Sequence, residues 1–261
     1  MPSIEVKKKE LFDRIGKEYS DKDFDLLCFD FGIEVDEILE DAYKIDIPAN
    51  RYDLLCVEGL GRALRIFVGG KAEKYKTIPP KLELKVDAST KVIRPYCVAA
   101  VLRNVTFNET NYASFIYLQE KLHQNLCRKR SLVAIGTHDL DTIQGPFKYE
   151  AKKPEDISFV PLNQKEKMDG NRLMEFYQTD NHLKHFLHLI RDSPVFPVIT
   201  DANGTVLSLP PIINGDHSKI TLSTKNVFIE CTATDFTKAK MVLDTMVCMF
   251  AEYCKEKFTV E

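Results

Sequence analysis

The sequence lacks any uninterrupted apolar run near the roughly 18 residues that a membrane helix needs. Its first ten residues, Met1 to Glu10, are polar and basic and lack the apolar centre of a signal peptide. Both absences predict a soluble, unsecreted chain. It also lacks a C-x-x-C pair: the seven cysteines (Cys28, Cys56, Cys97, Cys127, Cys231, Cys248, Cys254) are odd in number and scattered. That pattern argues against a disulfide framework and suits buried free thiols in a reducing compartment. Excess charge of one sign is missing too. With 36 Lys+Arg against 39 Asp+Glu and a net charge of -3, the chain is no globally basic nucleic-acid binder, so any RNA contact must come from a local patch. Internal repeats, a nucleophile elbow, a P-loop and a dinucleotide fingerprint are all absent. Gly59-Leu60-Gly61 lies inside a helical pattern, and Gly70-Lys71 lacks the preceding glycine and following hydroxyl. ATP chemistry is not encoded here.

What is present is the material of a globular core: 261 residues, 44% hydrophobic, with 16 Phe and 10 Tyr. Residues 1 to 80 carry 13 Lys+Arg and 17 Asp+Glu, whereas residues 81 to 261 carry 23 and 22. Between these halves lies Thr77-Ile78-Pro79-Pro80-Lys81, where each proline removes a backbone donor and disfavours helix before it. The domain boundary is placed there. In the first part, Ser20 with Asp23 three residues later predicts a capped amphipathic helix that stops at Gly32. A strand over Tyr43 to Ile47 and a helical run from Leu54 to Phe67, ending at Gly69-Gly70, complete a small α+β unit.

The second part opens with strands over Leu82 to Val86 and Tyr96 to Arg103, then a helix from about Asn111 to Cys127 with Phe115, Leu118, Leu122 and Leu126 inward. Arg128-Lys129-Arg130 reads as a solvated helix end, with too few charges to specify RNA on its own. Ser131 to Gly136 reads as a strand running into a loop that carries His138. Val195 to Thr232 reads as β-rich, with turns at Asp201 to Gly204 and at Asn214-Gly215, the latter calling for positive φ. A helix from about Phe236 to Lys257 closes the chain. The predicted fold class is α+β, a small unit over residues 1–80 followed by a larger, β-rich unit with flanking helices over 81–261.

Two constellations bear on chemistry. His182, His185 and His188 resemble metal-ligand spacing, but on a helix Leu183, Phe186, Leu187 and Ile190 form the apolar stripe and leave all three histidines facing solvent. No metal site is expected. In Val227 to Asp235, strand alternation sets Phe228, Glu230 and Thr232 on one face and Ile229 with Cys231 on the other. A carboxylate among such neighbours needs a partner. Glu230 and Thr232 could line a polar pocket, or Glu230 could pair with a cation at a strand edge. His138 could orient water or a carbonyl, or could cap a turn.

Four segments in this order, Ile47-Pro48-Ala49-Asn50-Arg51-Tyr52-Asp53, Ile135-Gly136-Thr137-His138-Asp139-Leu140-Asp141, Pro210 to Ser218 and Phe228-Ile229-Glu230-Cys231-Thr232, resemble the amino-terminal part of phenylalanine–tRNA ligase β subunits of the cytosolic eukaryotic type. The resemblance covers essentially the whole chain. It implies a B1 domain over 1–80 and, over 81–261, a B3/B4 domain that hydrolyses tyrosine wrongly esterified to phenylalanine tRNA. It implies, residue by residue, that Glu230 recognises the tyrosine hydroxyl, with Gly215 and Ser208 also binding substrate. His138, Asn214 and Thr232 fall at catalytic positions, Asn214 where bacterial relatives carry glycine, and Arg128, Lys129 and Arg130 are the candidate tRNA contacts. It further implies an α-subunit partner in an α2β2 assembly, phenylalanine tRNA, a cytoplasmic setting, and no cofactor in this segment. ATP and Mg are implied for the full heteromeric enzyme. A non-catalytic tRNA-binding or assembly module is the alternative.

Overall fold

The computed structural model describes residues 2–261, and its elements follow from local chemistry the sequence displays. An edge strand β1 (Ser3–Lys7) leads into α1 (Lys8–Ile15), and Ser20 then caps α2 (Asp21–Phe31) by accepting the Asp23 N–H. Gly32, at φ 91°, stops that helix in the left-handed conformation that costs glycine little. A hairpin of β2 (Glu34–Ile38) and β3 (Ala42–Asp46) completes a sheet of order β1-β3-β2. After it come α3 (Val57–Phe67) and β4 (Lys76–Thr77).

The larger part contains β5 (Leu84–Val86), β6 (Tyr96–Leu102), α4 (Glu109–Gln124), β7 (Val133–Asp139) and β8 (Phe147–Lys152). Short β9 (Ser158–Phe159) and β10 (Met168–Asp169) precede α5 (Gly170–Phe176). Then follow β11 (Phe196–Thr200), β12 (Val206–Leu209), β13 (Ile213–Asn214), β14 (Val227–Ala233), α6 (Phe236–Phe250) and β15 (Thr259–Val260). The fold is mixed α+β.

Three layers place the chemistry. A three-stranded antiparallel sheet, β6-β14-β7, stands between the helices α4 and α6 on one side and a five-stranded sheet, β13-β12-β11-β8-β5, on the other. The alternation read in β14 holds: Ile229 and Cys231 join the helix-facing core with Phe115, Leu122, Val242 and Phe250, while Phe228 packs with Phe147, Tyr149 and Leu207 of the other sheet. Because both faces are covered, every residue of β14 is buried. The helix-facing core also reaches Ile4, Tyr43 and Leu60. The extended segment before Lys81 lies along the chain's last strand, with Lys76 and Thr77 pairing in parallel with Thr259 and Val260.

Several expectations need correction. The final helix stops at Phe250 and is followed by a 3-10 turn over Ala251–Tyr253. The histidine segment is two 3-10 turns, Leu183–His185 and Leu187–Leu189, although Leu183, Phe186, Leu187 and Ile190 are buried and the histidines exposed as expected. Spacing of i, i+3, i+4, i+7 selects one buried side in consecutive tight turns as it does in an α-helix. Asn214-Gly215 is no positive-φ turn: Asn214 ends β13 and Gly215 has φ -75°. Glycine is needed there because a Cβ would lie 2.6 Å from the Val206 carbonyl oxygen. No helix among the described residues is long and apolar enough to cross a membrane.

Candidate functional site

Glu230 sits in the middle of β14, opposite Gly136 of β7, with 1% of its surface exposed. The pairing depends on that glycine, since a Cβ at position 136 would stand 2.0 Å from Glu230 Oε1. Ser208 of β12, itself buried, donates its hydroxyl to the same Oε1 at 3.1 Å. Oε2 has no hydrogen-bond partner among the described residues. A buried carboxylate oxygen left without a donor costs roughly 1–3 kcal/mol or more, and no group among the described residues offsets that cost here.

Glu230 and Ser208 form the inner end of a cavity of about 520 Å³. Thr137 and Ala134 of β7, Asn214 of β13, and Ile116, Gln119, Glu120 and His123 of α4 line it, together with Tyr177, Asp180 and His182. The volume suits a side chain the size of an aromatic amino acid. The α4 wall follows from the sheet's open edge, where Ile135 has outward backbone groups with no further strand to meet. His123 Nε2 accepts the Ile135 N–H at 3.0 Å, and Gln119 Nε2 donates to the Ile135 carbonyl at 3.4 Å. Asn214 reaches across to donate to the Thr137 carbonyl at 3.4 Å.

The structure therefore brings Glu230, Ser208 and Asn214 to one concavity, but not all of the residues singled out. His138 is not on a loop: β7 runs through Asp139, and the imidazole is fully buried behind Glu230. Its Nδ1 is 2.8 Å from Ser218 Oγ, and its Nε2 is 3.8 Å from Glu230 Oε1. It backs the carboxylate instead of lining the cavity. Thr232 is likewise turned away, its hydroxyl accepting from Arg94 Nε at 3.0 Å. Gly215 contributes a close backbone approach beside β12 and no lining surface.

The basic triplet divides. Arg128, Lys129 and Arg130 adopt φ values of 46°, 52° and 64°, three left-handed residues that reverse the chain between α4 and β7. Arg128 and Lys129 are exposed. Arg130 is turned inward over the Phe186 ring, with its guanidinium donating to the carbonyls of Pro211 and Ile212 at 3.3 and 2.9 Å. Among the described residues no group of three or more His, Cys, Asp and Glu side chains is placed to hold a metal ion.

Sequence reasoning missed Arg94. This arginine is 3% exposed, and burial lowers its pKa from the ordinary value. It donates to both the hydroxyl and carbonyl of Thr232 and to the carbonyls of Arg130 and Ser131. His123 was missed too, because one histidine within an apolar helical stripe carries no sequence signal beyond its position.

The architecture is that of an α+β module with a buried carboxylate on a cavity between two sheets. The family model described as the Phe-tRNA synthetase beta subunit B1 domain matches residues 1–70, and that described as the B3/4 domain matches residues 93–255. The chain is 59% identical over 291 residues to the phenylalanine–tRNA ligase β subunit of Drosophila melanogaster and 55% identical over 285 residues to that of Homo sapiens. Each match covers 100% of this chain and 48% of the relative, so the chain spans about half the length of these curated relatives. A crystal structure of an N-terminal fragment of the phenylalanyl-tRNA synthetase β subunit from Pyrococcus horikoshii superposes with a TM-score of 0.89 at 33% identity, covering 97% of this chain and 74% of that one. The chain belongs to the phenylalanine–tRNA ligase β-subunit family.

Proposed function

We propose that this chain is the editing region of a phenylalanine–tRNA ligase β subunit, with a B1 domain over residues 1–80 and a B3/B4 domain over 81–261, and that it hydrolyses tyrosine esterified to phenylalanine tRNA. One observation carries the reading: the unpartnered Glu230 Oε2, fully buried beside Ser208 at the closed end of a cavity of about 520 Å³. Tyrosine and phenylalanine differ by one hydroxyl. A site that keeps a buried acceptor for that hydroxyl leaves the acceptor desolvated when phenylalanine enters, which favours tyrosine by roughly 1–3 kcal/mol or more. The aminoacyl ester then lies toward the cavity mouth, near Asn214, and is attacked by water.

Arg128 and Lys129 supply the exposed charge for the tRNA backbone, whereas Arg130 shapes the cavity wall. The α subunit, an α2β2 assembly, and the ATP and Mg used in aminoacylation are assigned to the longer heteromeric enzyme. A cytoplasmic setting is in keeping with the Arabidopsis thaliana relative, 54% identical, whose name includes that word.

The test is calorimetric titration with L-tyrosine and L-phenylalanine, followed by deacylation of Tyr- and Phe-charged phenylalanine tRNA. Wild type is expected to favour tyrosine and cleave its ester, with Glu230→Ala losing the preference. Equal binding of both amino acids and no hydrolysis would leave a tRNA-binding or assembly module.

A further inference from the structure

The outer end of the cavity holds a second carboxylate with a support of its own. Glu120 lies on α4 with its side chain 42% exposed, and His123, one turn on, is enclosed at 2%. Because His123 Nε2 accepts the Ile135 N–H, that nitrogen cannot carry the ring proton, and the neutral imidazole must carry it on Nδ1. This N–H has no closed hydrogen bond among the described residues and stands 3.9 Å from Glu120 Oε1. Arg130 Nη2 approaches the same oxygen at 3.7 Å. Both groups thus face one oxygen of Glu120 from just beyond hydrogen-bond distance, and a shift of about 1 Å in the half-exposed Glu120 side chain closes the imidazole contact while the other oxygen stays open to the cavity.

We propose that His123 is a positioning residue whose Nδ1–H, locked by the Ile135 backbone, holds the Glu120 carboxylate as the base for water attacking an aminoacyl ester in the cavity. This rests on the deacylase reading above. The water oxygen bonds to the carbonyl carbon as its proton passes to Glu120. The bond from that carbon to the ribose oxygen then breaks, and the proton moves to the ribose oxygen, releasing the free amino acid and the tRNA hydroxyl.

The electrostatics agree with the geometry. Burial pushes His123 down to about 4, keeping it neutral, and the neighbouring imidazole N–H holds the Glu120 carboxyl below its ordinary value. Arg130 from the left-handed turn and His182, 3.5 Å from Arg130 Nη2, act on Glu120 in the same direction. Asp180 and Lys219 line the same cavity.

The experiment combines ¹⁵N NMR of the histidine rings with the pH profile of Tyr-tRNA deacylation by the whole chain, for wild type, His123→Asn, His123→Leu and Glu120→Gln. The expected wild-type tautomer is Nδ1–H. His123→Leu should lower kcat about 10- to 100-fold with KM little changed. Its acidic limb should move to higher pH, because Glu120 loses the donor that keeps its pKa low. His123→Asn, which retains an acceptor and a donor, should restore kcat, and it decides the matter if the leucine variant fails to fold. An Nε2–H tautomer, full activity in Glu120→Gln, or an unchanged kcat and acidic limb in His123→Leu would overturn the proposal while leaving the deacylase reading intact. A wild-type chain that does not hydrolyse the ester would overturn the deacylase reading, and this proposal with it.

Discussion

Glu58 and Glu230 are both enclosed glutamates, and their surroundings differ completely. Glu58, on α3, is 0% exposed and has both oxygens engaged: Oε2 accepts from Ser114 Oγ at 2.6 Å, and Oε1 accepts from Tyr253 Oη at 2.7 Å. Arg14 Nη2 lies 3.5 Å from Oε1, and its Nη1 also reaches Glu252 at 2.6 Å. Four segments, α1, α3, α4 and the turn after α6, meet at that carboxylate. Glu230 has one engaged oxygen, one bare one, and a cavity in front of it. A filled network of this kind holds elements together, whereas a half-filled one leaves a desolvated polar atom that the fold itself does not satisfy.

The largest expected effect breaks the filled network. Glu58→Ala strands the Ser114 and Tyr253 hydroxyls and removes an anion from beside Arg14. It should cost about 3–5 kcal/mol in urea unfolding, in line with losing one partner of a buried pair. A loss below about 1 kcal/mol would mean that Glu252 takes over the arginine, and Glu58 would no longer stand as the structural counterpart.

How far this contrast was legible in the sequence depends on the period of each element. Phe228, Glu230 and Thr232 share a strand face by simple alternation, so the inward carboxylate could be read directly. Ser20 and Gly32 announced the ends of α2 through capping chemistry. Glu58 was invisible, since a glutamate in the first turn of a helix ordinarily faces water, and its partners Arg14, Ser114 and Tyr253 are far away in sequence. His138 was misplaced because Gly136 reads as the end of a strand, whereas here it is the gap that admits Glu230 and β7 continues through Asp139. The inward turn of Arg130 depends on Phe186 and the Pro211 and Ile212 carbonyls, and no local pattern connects them.

A smaller effect comes from another enclosed titratable group. His123 has its folded pKa depressed to about 4, below the ordinary value of 6.5. The unfolded chain therefore takes up a proton first as the pH falls. The associated stability is fully present above about pH 6.5 and is lost progressively toward pH 4, amounting to about 3 kcal/mol. Urea unfolding across that range should show the loss in wild type and a flatter curve in His123→Asn. Identical slopes would show that His123 is not enclosed in solution, and the α4 wall of the cavity would then be looser than the Glu58 network.

The smallest expected effect on stability sharpens the comparison most. Glu230→Gln keeps an acceptor for the Ser208 hydroxyl at the Oε1 position and removes a desolvated charge. Its stability should stay within about 1 kcal/mol of wild type or rise slightly, as where a site is built for a ligand at the expense of the fold. On the proposed editing function, discrimination should move the other way: glutamine still accepts weakly from a phenol, but the charged acceptor proposed to make phenylalanine costly to admit is gone, so a preference for tyrosine should shrink. If the variant instead lost 3 kcal/mol or more, Glu230 would belong with Glu58 as a fastening of the fold. The cavity in front of it would then have to be explained without it.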